Sequence, residues 1–126
     1  MINWRTVLIG IVIAVILGFI LSMVMPLGTI IGYLIATIYV GYTVGGEYRN
    51  SADHGAIVGV ITGIIAAILL LIQINPIQLE AIIGGTLILF ALSTLFAIIL
   101  NGIIGAIGGI IGAFIKGSRS LKESTA

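Results

Sequence analysis

Only ten side chains of this sequence are Lys, Arg, Asp, Glu or His, and four of them, Glu47, Arg49, Asp53 and His54, lie between residues 45 and 54. Glu47, Asp53 and His54 are of the types that bind divalent metals, but no helical i, i+4 pair links them and their spacing is weak evidence for a metal motif. We therefore expect a cytoplasmic turn with solvated charges and no metal site. The chain also lacks a Ser/His/Asp set, an HExxH motif and a phosphate-binding loop. We expect no enzymatic activity and no cofactor.

Glu80 is an isolated acidic residue in apolar sequence. It follows Pro76 by four residues, which places it near the end of a segment and not in the middle. A carboxylate deep in a membrane would indicate ion or proton coupling. A charge near the start of a helix is instead favoured by the helix dipole, and we expect Glu80 to be exposed.

Asn101 is the candidate polar residue within a membrane span. It could line a permeation path, or it could hydrogen-bond to a neighbouring helix, which is worth roughly 0.5–2 kcal/mol in lipid. Asn101 is in register with Ala97, Gly105 and Gly109 at four-residue steps. Residues at this spacing share one helix face, so the register favours contact with a neighbouring helix.

Small residues recur at four-residue steps in every long apolar stretch. Such a ladder gives a helix a flat surface on which another backbone can approach closely. A pore lining is the alternative, but Gly and Ala offer no selectivity chemistry, so we expect helix packing. The predicted packing residues are Gly10, Ala14, Gly18, Gly28, Gly32, Gly55, Gly59, Gly63, Gly105, Gly109 and Ala113.

The composition indicates that these helices lie in a membrane. Of the 126 residues, 60% are hydrophobic and 7% are charged, and the mean hydropathy is +1.37. A soluble domain carries about 25% charged residues, so we read the chain as one integral membrane domain. The net charge of +1 and the lack of a basic patch indicate no nucleic-acid partner. The absence of cysteine excludes disulfides and thiolate metal sites.

Prolines and charges divide the chain into four predicted spans, at about 6–25, 27–44, 55–74 and 93–115. Pro26 lies in the first connection and disfavours helix just before it, and Pro76 follows the third span. Asp53 is expected to cap the third span or to lie just ahead of it, where a carboxylate accepts backbone N–H bonds.

The apolar region 77–115 is too long for one crossing. As a single helix it would measure roughly 58 Å, whereas the hydrocarbon core is about 30 Å thick. With four spans, all five Lys and Arg residues lie in the cytoplasm together with both termini, as the positive-inside rule favours. Residues 77–92 would then lie along the outer face, dip in and return, or continue the last span, with Gly84-Gly85 as a candidate bend. The polar tail 116–126 is expected to be disordered.

Two stretches of the sequence resemble a family of small, uncharacterised archaeal membrane proteins with four predicted spans. Its members have a Gly-Gly turn, a few polar residues and a Gly-Ala-rich third helix, and many end in a Gly-rich fourth span and a short basic tail, as in residues 102–116 here. The resemblance implies an archaeal cell membrane and four helices, and it implies no activity. The stretches are Gly28-x-x-x-Gly32-Tyr33 and Gly45-Gly46-Glu47-Tyr48-Arg49-x-x-Ala52-Asp53-His54-Gly55-Ala56-x-x-Gly59.

We therefore predict an all-α, multi-pass membrane protein with four transmembrane helices and an extra apolar helical element before the last span. Its partners would be membrane lipid and either further copies of itself or a larger membrane complex, and its role would be structural. An oligomeric pore or transporter subunit, or a holin-like protein that permeabilises membranes, is the alternative.

The predicted topology can be tested with single cysteines at Asn50 and in the tail after Lys116. Both should be protected from a membrane-impermeant thiol reagent added to intact cells, because the basic residues hold both segments in the cytoplasm. Labelling after permeabilisation provides the control. Labelling of the tail in intact cells would rule out four crossings.

Overall fold

The protein is described here by a computed structural model that covers residues 2–125, with side chains for residues 2–118. Five α-helices and one π-helical turn account for nearly all of this part of the chain, which contains no strand. The α-helices are α1 (Trp4–Val24), α2 (Gly28–Val44), α3 (Tyr48–Gln73), α4 (Pro76–Ala81) and α5 (Leu87–Thr125), and the π turn is Ile82–Thr86.

Helices α2 and α3 form the centre of the bundle. They contact each other, and each of them contacts both α1 and α5, whereas α1 and α5 share no contact among the described residues. Ala36, Val40 and Val58 on the central helices are completely buried, and Val7 of α1 packs with the two valines. The bundle is therefore a four-helix arrangement with α1 and α5 on opposite sides of a central pair.

The outer surface of the bundle is apolar. Large side chains such as Leu8, Phe19 and Ile88 are more than half exposed, which water would not tolerate over so large a contiguous area. Helices α1, α3 and the continuous element Pro76–Ser118 are long and apolar enough to cross a membrane. The chain is thus a multi-pass membrane protein. Helix α2 is shorter, with 17 residues.

Helix α3 begins earlier than the third predicted span. It starts at Tyr48 with Glu47 at the N-cap position, so residues 48–54 are helical and do not form the expected turn. The prediction that Asp53 caps this helix is wrong, because Asp53 lies in its second turn. The signal for the earlier start is Ser51, a small residue four positions before Gly55 that continues the ladder of α3 backwards.

Residues 77–92 continue into the last helix through a kink. Gly85 has φ 150° and ψ −10°, a conformation that L-residues rarely adopt, so the bend lies within the expected Gly84-Gly85 pair. The Thr86 hydroxyl donates to the Ala81 carbonyl, 2.8 Å away, and is thereby satisfied within the apolar segment. Helix α4 and the π turn have no buried residue and contact only their neighbours in the chain. They form an apolar arm that leaves the bundle.

The C-terminal tail differs from the prediction. Helix α5 continues to Thr125, so the backbone of the tail is helical and not disordered as expected.

The kink should depend on the single glycine with a positive φ in this arm. Gly85→Ala should straighten the helix, because a Cβ strongly disfavours φ near 150°. Spin labels at Gln78 and Phe96, both exposed, should then move apart to about 27 Å between Cα atoms, the length of 18 residues of straight helix.

The neighbouring Gly84 supplies the matched control. A Cβ at Gly84 would meet nothing within 4 Å, and its φ is not positive. Gly84→Ala should therefore leave the label distance unchanged. Equal distances in the two variants and in the wild-type chain would show that Gly85 does not set the bend.

Candidate functional site

The contact between α3 and α5 is made by backbone against backbone. A Cβ on Gly55 would collide with the carbonyl oxygen of Gly105, and a Cβ on Gly105 would collide with that of Gly55. One turn further along, a Cβ on Gly59 would strike the carbonyl oxygen of Asn101. In the opposite direction, a Cβ on Gly109 would collide with the backbone of α3 in the same way. No side chain fits between these helices at the four positions.

Helix α5 uses a second face against α2. A Cβ on Gly112 would strike the carbonyl oxygen of Ile38, and one on Gly108 would strike the hydroxyl of Thr37. A Cβ on Gly41 of α2 would in turn meet the backbone of Gly109. Sequence reasoning did not select Gly108 and Gly112. These two glycines are also four residues apart, but only the ladder through Gly105 and Gly109 was assigned to this stretch.

Helix α1 packs through less uniform contacts. A Cβ on Gly32 of α2 would lie 2.6 Å from the backbone nitrogen of Gly18, so the backbones are close here as well. At Gly10, however, the space is filled by the side chains of Val40 and Val58. Every one of the eleven packing residues selected from the sequence is buried, including Ala14 and Ala113.

A buried polar cluster joins the N-cap residue of α1 to the first two turns of α3. His54 is completely buried; its Nε2 accepts the backbone N–H of Asn3 at 2.9 Å, and its Nδ1 lies 2.7 Å from the carbonyl oxygen of Asn50. These partners fit a neutral ring that carries its proton on Nδ1. The hydroxyl of Ser51, also fully buried, donates to the Gly41 carbonyl at 3.3 Å. The expectation that His54 lies in a solvated turn is therefore wrong.

The inward orientation of His54 separates it from the acidic side chains nearby in the sequence. Glu47 and Asp53 are exposed, whereas both ring nitrogens of His54 have partners inside the bundle. Among the described residues, no three His, Cys, Asp or Glu side chains are placed to hold a metal ion. Glu80 is exposed on the apolar arm.

Positive charges gather at one end of the bundle. Arg5 begins α1, Arg49 begins α3, and Lys116 lies near the end of the transmembrane part of α5. The Nζ of Lys116 donates to the Thr43 carbonyl at the C-terminus of α2, 3.5 Å away, where the helix dipole favours a cation. The described Lys and Arg side chains thus lie at the end where α1 and α3 start and α2 stops.

Asn101 lies on α5, beside its contact with α3, and is half-buried. Its Nδ2 would lie 3.0 Å from a Cβ on Gly63, so the carboxamide borders the contact between the two helices. Yet it makes no hydrogen bond to any described residue. The interhelical hydrogen bond expected from the sequence is therefore absent from the described part of the chain.

Comparison with known proteins identifies one family. The model of DUF5518, a family of unknown function, matches residues 4–115, from the first residue of α1 into the last long helix. No curated protein and no solved structure matches the chain.

The backbone contact at Gly59 should be sensitive to a single methyl group. Gly59→Ala should lower the free energy of unfolding by about 1–3 kcal/mol, because α3 and α5 must separate to admit the Cβ. Thermal unfolding in detergent measures the loss. Gly117→Ala, where a Cβ meets nothing within 4 Å, is the control and should unfold at or slightly above the wild-type temperature. If Gly59→Ala unfolds at the wild-type temperature, α3 and α5 can admit the methyl group without loss of stability, which contradicts the prediction.

Proposed function

The chain belongs to the DUF5518 family, a family of unknown function, and we propose that it is a non-enzymatic, structural membrane protein that self-associates through α5. In this proposal the glycine ladders hold the four helices of one subunit together. The face of α5 around Asn101 holds subunits to each other.

The Asn101 carboxamide is the observation that carries the proposal. It is half-buried in the middle of an apolar helix and has no hydrogen-bond partner in the described part of its own chain. The hydrocarbon core offers no water to satisfy such a group. Asparagine side chains hydrogen-bond across helices in membranes, and an interhelical bond of this kind is worth about 1–2 kcal/mol in model peptides. A second copy would supply that bond.

The surface around Asn101 is open to such a partner. Ala97, one turn before Asn101 on the same helix face, is exposed, and no other described helix covers the arm that precedes it. A second α5 packed here would bury apolar side chains and bring two carboxamides within reach of each other. The chemistry thus favours another copy of the chain over a charged or polar partner.

The proposal assigns four crossings to the chain. Helix α2 joins the two ends of the bundle and is enclosed by α1, α3 and α5. Its 17 residues measure about 25 Å, slightly less than the hydrocarbon core, and partner helices on three sides compensate for the short length. The end that carries Arg5, Arg49 and Lys116 would then face the cytoplasm, with both termini. The membrane would be the archaeal cell membrane that the sequence resemblance implies.

Self-association should weaken when Asn101 is replaced by an apolar residue of similar width. Asn101→Val should raise the dissociation constant in liposomes by about fivefold to thirtyfold, which corresponds to 1–2 kcal/mol. The measurement is energy transfer between labelled subunits as the lipid-to-protein ratio increases. Thr94→Val is the matched control on the same helix, because the Thr94 hydroxyl already donates to the Phe90 carbonyl at 2.9 Å.

Two results would contradict the proposal. The first is a wild-type chain that stays monomeric at every lipid-to-protein ratio, and the second is unchanged association in Asn101→Val. A solute flux that Asn101→Val abolishes without any change in association would instead support the pore, and growth arrest on expression would support the holin-like role.

A further inference from the structure

A cavity of about 330 Å³ lies between α1, α2 and α3 at the end of the bundle opposite Arg5, Arg49 and Lys116. This is the remote end of the bundle, where α1 and α3 stop and α2 starts. The cavity follows α3 inward from Gln73 to Thr62, roughly 16 Å along the helix axis. Its volume is ample for several water molecules, each of which occupies about 30 Å³ in the liquid.

Polar side chains from all three helices line this cavity. Ser22 comes from α1, Thr29 and Tyr33 come from α2, and Gln73 is the last residue of α3. Thr29 and Tyr33 are one turn apart on the same face of α2. Both approach Gly18 of α1, where a Cβ would lie 3.7 Å from the Thr29 Cγ2 and 3.0 Å from the Tyr33 Cε1. The polar lining therefore comes from helix surfaces that face each other.

Three of these side chains have no hydrogen-bond partner among the described residues, namely those of Thr29, Tyr33 and Gln73. Thr29 is the second residue of α2, so its helix offers no carbonyl one turn back to which the hydroxyl could donate. Tyr33 is only 7% exposed, but its hydroxyl, unlike that of Thr62, retains accessible surface. Because Tyr33 lines the cavity, this hydroxyl is available to whatever fills it. The Thr62 hydroxyl is inaccessible and takes no part.

Water and a lipid chain are the two candidate occupants. A lipid chain could enter from the side, where Phe19 and Leu70 border the cavity and are exposed on the outer surface of the bundle. It would leave the hydroxyls of Thr29 and Tyr33 without partners, and an unsatisfied polar group in hydrocarbon costs free energy. Water supplies both donors and acceptors, and it is present at the helix ends, where Thr29 and Gln73 lie. The polar lining therefore favours water.

Deeper in the bundle the path is closed. Ala14 is 1% exposed, and Ala36 and Val58 are completely buried. Val58 lies one turn before Thr62 on α3, and Ala14 and Ala36 form a buried cluster with Tyr33. Among the described residues, the cavity thus has no continuation toward the charged end.

We propose that this cavity is a water-filled crevice, open to the aqueous phase at the remote end and closed beyond Tyr33 and Thr62. Water in it hydrates the start of α2, which at 17 residues is the shortest helix of the bundle. Because the crevice ends blindly, a single subunit provides no continuous pore. The crevice does not depend on self-association through Asn101. Only the side of the membrane on which it opens, the outside, rests on the proposed topology.

Single cysteines test the crevice, because the chain has no cysteine of its own. The probe is MTSET, a cationic, membrane-impermeant methanethiosulfonate that reacts with the thiolate, a species that forms in water and not in hydrocarbon. Ala66→Cys and Ile65→Cys place the thiol in the cavity wall. Ile68→Cys is the matched control on the same helix, because Ile68 is closer to the remote end but does not line the cavity and is 52% exposed. In permeabilised cells, the two cavity cysteines of the full chain should react about tenfold faster than the control, or more.

A double substitution tests whether the polar lining holds the water. Thr29→Val with Tyr33→Phe removes two hydroxyls and nearly preserves the shape, and it should slow the reaction of Ala66→Cys about threefold or more, because buried water needs polar partners. Thr43→Val, which removes a hydroxyl bonded to the Tyr39 carbonyl outside the cavity, should leave the rate unchanged. Thermal unfolding of each variant shows whether the bundle is intact. If the double variant does not fold, Thr29→Val alone should slow the reaction in the same direction.

The proposal is overturned if the cavity cysteines react no faster than Ile68→Cys, since the occupant is then lipid. It is also overturned if removal of the hydroxyls leaves the rate of a folded variant unchanged. The side of the membrane is decided separately in intact cells, where MTSET added outside should reach Ala66→Cys because the positive charges face the cytoplasm. Reaction only after permeabilisation would reverse the proposed topology while it supports the crevice.

Discussion

The approach of α5 to the central pair of helices is the contact on which the bundle depends. In lipid, apolar side chains gain little by leaving one hydrocarbon environment for another, so helices associate through close packing and through polar contacts. Gly109 concentrates this packing, because its backbone lies against Gly41 of α2 and a Cβ on it would strike the Ser51 carbonyl of α3. Three helices converge where one residue has no side chain. A separation here would cost contacts on two interfaces at once, because dispersion falls steeply with distance.

This convergence divides the bundle into two unlike halves. Near the charged end, the backbones are in contact, and the buried groups of His54 and Ser51 bond across helix ends. Toward the other end, a cavity of about 330 Å³ beside Tyr33 and Thr62 opens between α1, α2 and α3. The backbones of α1 and α2 still approach closely there, since a Cβ on Gly32 would lie 2.6 Å from the backbone nitrogen of Gly18.

The sequence predicts the interfaces of this fold better than the ends of its elements. The ladder through Gly55 and Gly59 was visible because helical spacing alone determines which residues share a face. The start of α3 at Tyr48 was not visible, because charged residues between 47 and 53 resemble a turn until Ser51 is recognised as part of the ladder. The path of residues 77–92 depends on the φ of Gly85, which no pattern of hydrophobicity encodes. The bonding state of Asn101 depends on sub-ångström geometry between α3 and α5, which spacing does not contain.

Thr62 and Asn101 are polar residues of the apolar helices whose side chains have no hydrogen-bond partner among the described residues, and their surroundings differ. Six other Ser and Thr hydroxyls in the helices donate to carbonyls of their own helix, those of Ser22, Thr37, Thr43, Thr86, Ser93 and Thr94, so the chain has a simple way to satisfy such groups. Thr62 is fully buried, and its hydroxyl has no hydrogen-bond partner among the described residues. Asn101 is half-exposed beside a long uncovered helix face, where a whole helix can approach. A valine at either position would fill nearly the same space without a group to satisfy. For Asn101, the proposed self-association would supply the partner that the subunit itself does not provide.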